Sequence, residues 1–154
     1  MSSLDAGRLA IAVLALAGSL ACGAADAALG EGVGTVEADR MQARASVRQV
    51  IHATFTVHEL NTASQGIVRE FVSPAGQVFA VTWHGPAMPN LRQVLGANFD
   101  VLANARRRRS GTRGYISLTE GKLVFESSGH MRSFHGRAYL IDALPQGVTT
   151  NEIE

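Results

Sequence analysis

Two alternating runs flanking a proline–glycine turn constrain this chain more than any other feature. Gly66-Ile-Val-Arg-Glu-Phe-Val72 and Gln77-Val-Phe-Ala-Val-Thr-Trp83 lie on either side of Ser73-Pro-Ala-Gly76. Proline in the second place of a four-residue turn presets φ, and glycine in the fourth accepts a bulge, so the segment reads as a β-hairpin. His52-Ala-Thr-Phe-Thr-Val-His58 also alternates, with Ala53, Phe55 and Val57 on one face, and reads as a half-buried strand. Gly85-Pro-Ala-Met-Pro89 then stops the strand pattern, and Asn90 with Gln93 has the spacing of a capping box. Leu91, Val94, Leu95, Phe99 and Leu102 recur at three and four, which predicts an amphipathic helix running to about Arg107.

Further strands are expected near Tyr115–Leu118, Lys122–Ser127 and Arg137–Ile141. A shorter helix is expected from Thr35 to about Ala45, because its acids come early and its arginines late, as the helix dipole favours. The fold expected is α+β: an antiparallel β-sheet packed against one main amphipathic helix, with a short N-terminal helix. Phe55, Val57, Phe71, Phe79, Val81, Leu91, Val94, Leu95, Phe99 and Leu102 are expected to share one core between sheet and helix.

The start of the chain carries an address. Arg8 and the amino terminus precede an apolar run from Leu9 to Ala21, and small residues follow, ending in Ala25-Asp26-Ala27. A weakly positive start, a short apolar stretch and an A-x-A exit make a secretory signal peptide. The apolar run is about 13 residues, short of the roughly 20 that span a bilayer as a helix. Cleavage is expected after Ala27, giving a periplasmic or secreted protein. A second route is lipoprotein anchoring through Cys22, although Ser19 stands where such signals carry an aliphatic residue. Cys22 is the sole cysteine, so a chain cleaved after Ala27 has no thiol, which suits an oxidising compartment. The organisation expected is a signal peptide at 1–27, a flexible leader at 28–34, one domain at 35–145 and a loose tail at 146–154.

Charge points to no global partner. The full chain has 14 Lys and Arg against 13 Asp and Glu, a balance with no field for nucleic acid. The local exception is Arg106, Arg107, Arg108 and Arg109, with Arg113 close behind. Guanidinium forks suit phosphate and carboxylate oxygens, so anionic lipid or acidic polysaccharide is the partner class this cluster would take. The plainer reading is a solvated helix end facing its own dipole. Trp83 is similarly double-edged: a lone aromatic at a strand end serves as a ligand platform or caps the core.

Catalytic signatures are sparse. No G-x-S-x-G elbow presents a serine, and Gly30-Glu-Gly-Val-Gly34 does not sit between a strand and a helix as a phosphate loop does. His130 and His135 flank Met131-Arg-Ser-Phe134; if those four residues form a hairpin loop, the two imidazoles oppose each other and share a metal ion, with His84 or Glu126 as third ligand. The competing reading is two surface histidines beside a loop. No cofactor is expected.

The block Val68-Arg-Glu-Phe-Val-Ser-Pro-Ala-Gly-Gln-Val-Phe-Ala-Val-Thr-Trp-His-Gly-Pro86, continued by Met88-Pro-Asn-Leu-Arg-Gln-Val-Leu-Gly96, resembles an uncharacterised family of exported Gram-negative bacterial proteins, a domain of unknown function. Ala28-Leu-Gly30, Ser128-Gly-His-Met-Arg132 and Gly136-Arg-Ala138 fit the same pattern. The resemblance implies an exported single-domain protein and transfers no catalytic residue. The function expected is a non-enzymatic exported protein that binds an envelope component or a protein partner. The alternative is a small exported hydrolase or metal-binding protein using His130 and His135.

Overall fold

The structure, a computed structural model, describes residues 28–32, 34, 46–108 and 114–154. Among the described residues four strands precede the two named helices: β1 (Ser46–Ile51), β2 (Thr56–Asn61), β3 (Ile67–Val72) and β4 (Val78–Gly85). Two helices follow, α1 (Leu91–Leu95) and α2 (Asn98–Arg108), and then β5 (Tyr115–Glu120), β6 (Leu123–His130) and β7 (Ser133–Leu140). All seven strands form one antiparallel sheet in the order β1-β2-β3-β4-β7-β6-β5. Two meanders therefore meet at a single seam, where β4 pairs with β7 from Ala80 opposite Tyr139 to Gly85 opposite Phe134. The fold is α+β, mostly β, with one main helix and one short one. No helix among the described residues is long and apolar enough to cross a membrane.

The β3–β4 hairpin forms as its sequence dictates. Gly76 takes φ 79°, and its N–H donates to the Ser73 carbonyl at 2.9 Å. Beyond the turn, Val72 pairs with Val78 but Phe71 pairs with Ala80, which leaves Phe79 as the extra residue of a β-bulge.

Five expectations change on contact with the structure. The alternating segment 52–58 is not one strand: His52 N–H bonds the Phe55 carbonyl at 2.9 Å, closing a turn between β1 and β2. The long helix is two helices. Asn90 does cap the first, accepting from Gln93 N–H at 3.4 Å, but Gly96 at φ 51° ends it. A Cβ at Gly96 would collide with the Cβ of Ala28, so the break admits the N-terminal segment.

That segment is not a flexible leader over residues 28–32. Leu29 is 1 % exposed, its N–H bonds the Val94 carbonyl at 3.1 Å, and Gly30 and Glu31 exchange main-chain bonds with Val78. The C-terminal tail is not loose either, since Ile153 is fully buried. The expected short helix at 35–45 and the signal region at 1–27 lie outside the described residues.

The core is consequently double. Val81, Val94, Leu95 and Leu102 sit between sheet and helices with Leu29, Trp83, Phe125 and Leu140, and Leu91 and Phe99 pack at the margin. Phe55, Val57, Phe71 and Phe79 lie instead in a second cluster with Ala80 and Ile153. Strand pleating separates the two sets, because neighbouring residues point to opposite faces. The bulge at Phe79 then returns two successive aromatic or small residues to the second cluster.

Candidate functional site

The face of the sheet away from the helices is organised in rows that run across the strands. The first row is apolar: Val50, Val57, Phe71, Ala80, Tyr139 and Val124 stand side by side. Much of it is roofed by the C-terminal segment, through Ala143, Leu144, Val148 and Ile153. The second row is charged: Arg48, Glu59, Arg69, Thr82, Arg137, Glu126 and Ser117. The third row reads Asn61, Ile67, His84, His135, Ser128 and Tyr115.

Two ion pairs flank Thr82 almost symmetrically in the second row. Arg69 Nε meets Glu59 Oε2 at 2.9 Å, and Arg137 Nε meets Glu126 Oε2 at 2.7 Å. Half-exposed pairs of this kind contribute on the order of 1 kcal/mol or less to stability. Their larger effect is positional. Each guanidinium, aimed by its carboxylate, spends a second N–H on the tail: Arg137 bonds the Thr150 carbonyl at 2.9 Å and Arg69 the Glu154 carbonyl at 3.3 Å. The tail is further fixed by a capping box in which Glu152 accepts from the Thr149 N–H at 2.6 Å and from its hydroxyl at 3.1 Å. These hydrogen bonds, first the main-chain one, hold the Glu152 carboxyl below its usual range.

Where the tail ends, a cleft of about 440 Å³ opens between the second and third rows. Its lining includes His84, Tyr115, Ser128, His135, Arg137 and Glu154. The chemistry on offer is one exposed phenol ring at the sheet edge, two exposed imidazoles, a hydroxyl and the guanidinium–carboxylate pair below them.

The structure redistributes the residues that the sequence singled out. Arg106, Arg107 and Arg108 are exposed at the end of α2, away from the cleft. Arg108 Nη2 bonds Glu120 Oε1 at 2.6 Å and Arg107 Nη2 bonds Asn104 Oδ1 at 3.0 Å, so two of the three guanidiniums already have partners. Arg109 and Arg113 lie outside the described residues.

Trp83 is not a surface platform. It is 3 % exposed, tilted against Phe125 with centroids 5.5 Å apart, and seated over Gly136, where any Cβ would collide with the indole. Its strand position turns it to the helix face. Its neighbour His84 takes the opposite face.

His130 and His135 do not oppose each other. The hairpin loop is two residues, Met131 and Arg132, rather than four, so His130 pairs with Ser133 and His135 with Ser128. His84, named only as a third ligand, is the residue opposite His135. Among the described residues no group of three His, Cys, Asp or Glu side chains is placed to hold a metal ion.

Sequence reading missed the Arg69–Glu59 and Arg137–Glu126 pairs and the docked tail. The available signals were slight: arginines at outward strand positions, and Val148 and Ile153 as isolated apolar residues in a polar end.

Residues 25–153 match the family model described as a protein of unknown function, DUF2844. The chain belongs to that family. No curated protein and no solved structure matches it.

Proposed function

We propose that this is an exported protein that binds an envelope component or a protein partner, without catalysis, through the cleft on the helix-free face of its sheet. The observation carrying this reading is the cleft itself, whose volume of about 440 Å³ falls within the range of small-ligand sites. Its floor is made of paired strands and its charged groups are fixed by ion pairs and tail contacts, so little ordering is left to oppose binding. The lining suits a polysaccharide. Tyr115 offers a ring face at the open edge, and the guanidinium, imidazole and hydroxyl groups offer hydrogen bonds to sugar oxygens. Export is supported by the positive start, the short apolar run and Ala25-Asp26-Ala27.

The exposed arginines at the end of α2 support a second surface, for anionic lipid headgroups, since three guanidiniums share one helical turn. One experiment separates the two. Envelope polysaccharide and anionic vesicles are each incubated at low salt with the purified protein, with Tyr115→Ala, and with a variant carrying glutamine at Arg106, Arg107 and Arg108. Polysaccharide retention lost only in Tyr115→Ala supports the cleft. Vesicle co-sedimentation lost only in the glutamine variant moves the binding surface to the helix end. Retention on neither material, or identical behaviour of all three proteins, overturns both. Mass measurement of envelope protein tests export: a chain beginning at Ala28 supports it, and one that keeps residues 1–27 overturns it.

A further inference from the structure

We propose that His84 and His135 form a two-imidazole site for a divalent transition-metal ion, of the zinc, nickel or copper(II) type that imidazole prefers. The two residues are directly opposed across the β4–β7 seam. How near their side chains stand depends on which kind of antiparallel pair they make, and the β6–β7 hairpin decides that. Its loop is the two residues Met131 and Arg132, at φ 25° and 67°. In a two-residue hairpin the closing pair, here His130–Ser133, is hydrogen-bonded, and pair types then alternate along the ladder. Ser128–His135 is therefore also a hydrogen-bonded pair. The intervening Gly129 directs its N–H the other way, to the Gly114 carbonyl at 3.1 Å, as the alternation requires.

A residue in an antiparallel strand turns its N–H and C=O to the same neighbour. His135 gives both to β6, so towards β4 it presents a non-hydrogen-bonded pair. In such pairs the Cα atoms are only ~4.5 Å apart and the side chains stand closer than in the alternating type. Both imidazoles are exposed and line the same cleft. Pivoting about χ1 and χ2, the two rings can each bring a nitrogen to one ion at the usual ~2.0–2.1 Å.

The electrostatics permit a cation here. Arg137, two residues along β7 on the same face, has its charge met by Glu126 at 2.7 Å. With two protein ligands the ion keeps open positions, filled by water or by a donor atom of whatever occupies the cleft. His130 shares the face one row further on, diagonal to His135 and opposite Ser133. It serves as the internal control.

The test is titration of tag-free protein with Zn²⁺, Ni²⁺ and Cu²⁺ by calorimetry, with paramagnetic broadening of imidazole proton signals by Ni²⁺ as a second readout. The expected result is one ion per chain, weakened about tenfold or more by His84→Ala or His135→Ala and by less than about twofold by His130→Ala. His84→Gln and His135→Gln repeat the measurement with side chains closer in size, and circular dichroism verifies that each variant keeps its sheet. Binding that survives loss of either histidine overturns the site. So does a wild-type affinity no greater than that of a variant carrying both His84→Ala and His135→Ala, or Ni²⁺ broadening centred on His130.

Discussion

At the scale of single residues, the helix face of the sheet holds a titrating group that the sequence treated only as part of an alternating pattern. His58 lies on β2 opposite Gln49 and Glu70, on the side that carries the main core. Burial pushes its imidazole below the ordinary value of 6.5. The unfolded chain then takes up the proton at a higher pH than the folded one. Stability associated with this group is complete above about pH 6.5 and declines as the pH falls through the lowered value. Urea midpoints measured from pH 7.5 down to 5 should fall more steeply for the wild type than for His58→Gln. Parallel curves would remove His58 as the cause.

Gly136 acts through the side chain it lacks. Beside His135, it leaves the space into which the Trp83 indole fits, which is why Trp83 became core. Neither residue's neighbours in sequence could show that, because the contact depends on the register of β4 against β7.

At the scale of elements, the C-terminal segment departs furthest from its expected behaviour. A short apolar side chain in a polar tail has no period to betray it, yet Ile153 fills a site among Phe55, Phe71 and Phe79 on the second face. Ile153→Ala should cost about 2–5 kcal/mol, the range for emptying a packed aliphatic site. A loss below ~0.5 kcal/mol in denaturant unfolding would show that the tail does not hold this position. The β3–β4 hairpin and the Asn90 cap depend on residues within a few places of each other, and both stand where the sequence put them. The helix break at Gly96 and the two-sided core depend on Ala28 and Ile153, segments distant in sequence. The candidate site shows the same division. Its histidines were all visible as residue types, but the pairing of His84 with His135 follows from a loop of two residues instead of four.

At the scale of the whole molecule, strands adjacent in the sheet are also consecutive in sequence everywhere except at the β4–β7 seam. Each meander can form from local contacts, whereas the seam requires closure of the long connection that includes both helices. Seam formation should therefore lie in the folding transition state, and docking of the tail after it. Ala138→Gly, on β7 opposite Val81, should chiefly slow refolding, and Ile153→Ala should chiefly speed unfolding. Stopped-flow chevron plots distinguish the two limbs; the reverse pattern would place tail docking before the seam. The same topology sets a hazard during synthesis. Until β7 arrives, β4 is the edge of a four-stranded sheet, and its run Val78-Phe-Ala-Val-Thr-Trp83 is β-prone, uncharged and free of proline. An open edge of this composition is a template on which a second copy of the same strand can pair. The interval between completion of the first meander and arrival of the second is when this chain is most exposed to aggregation.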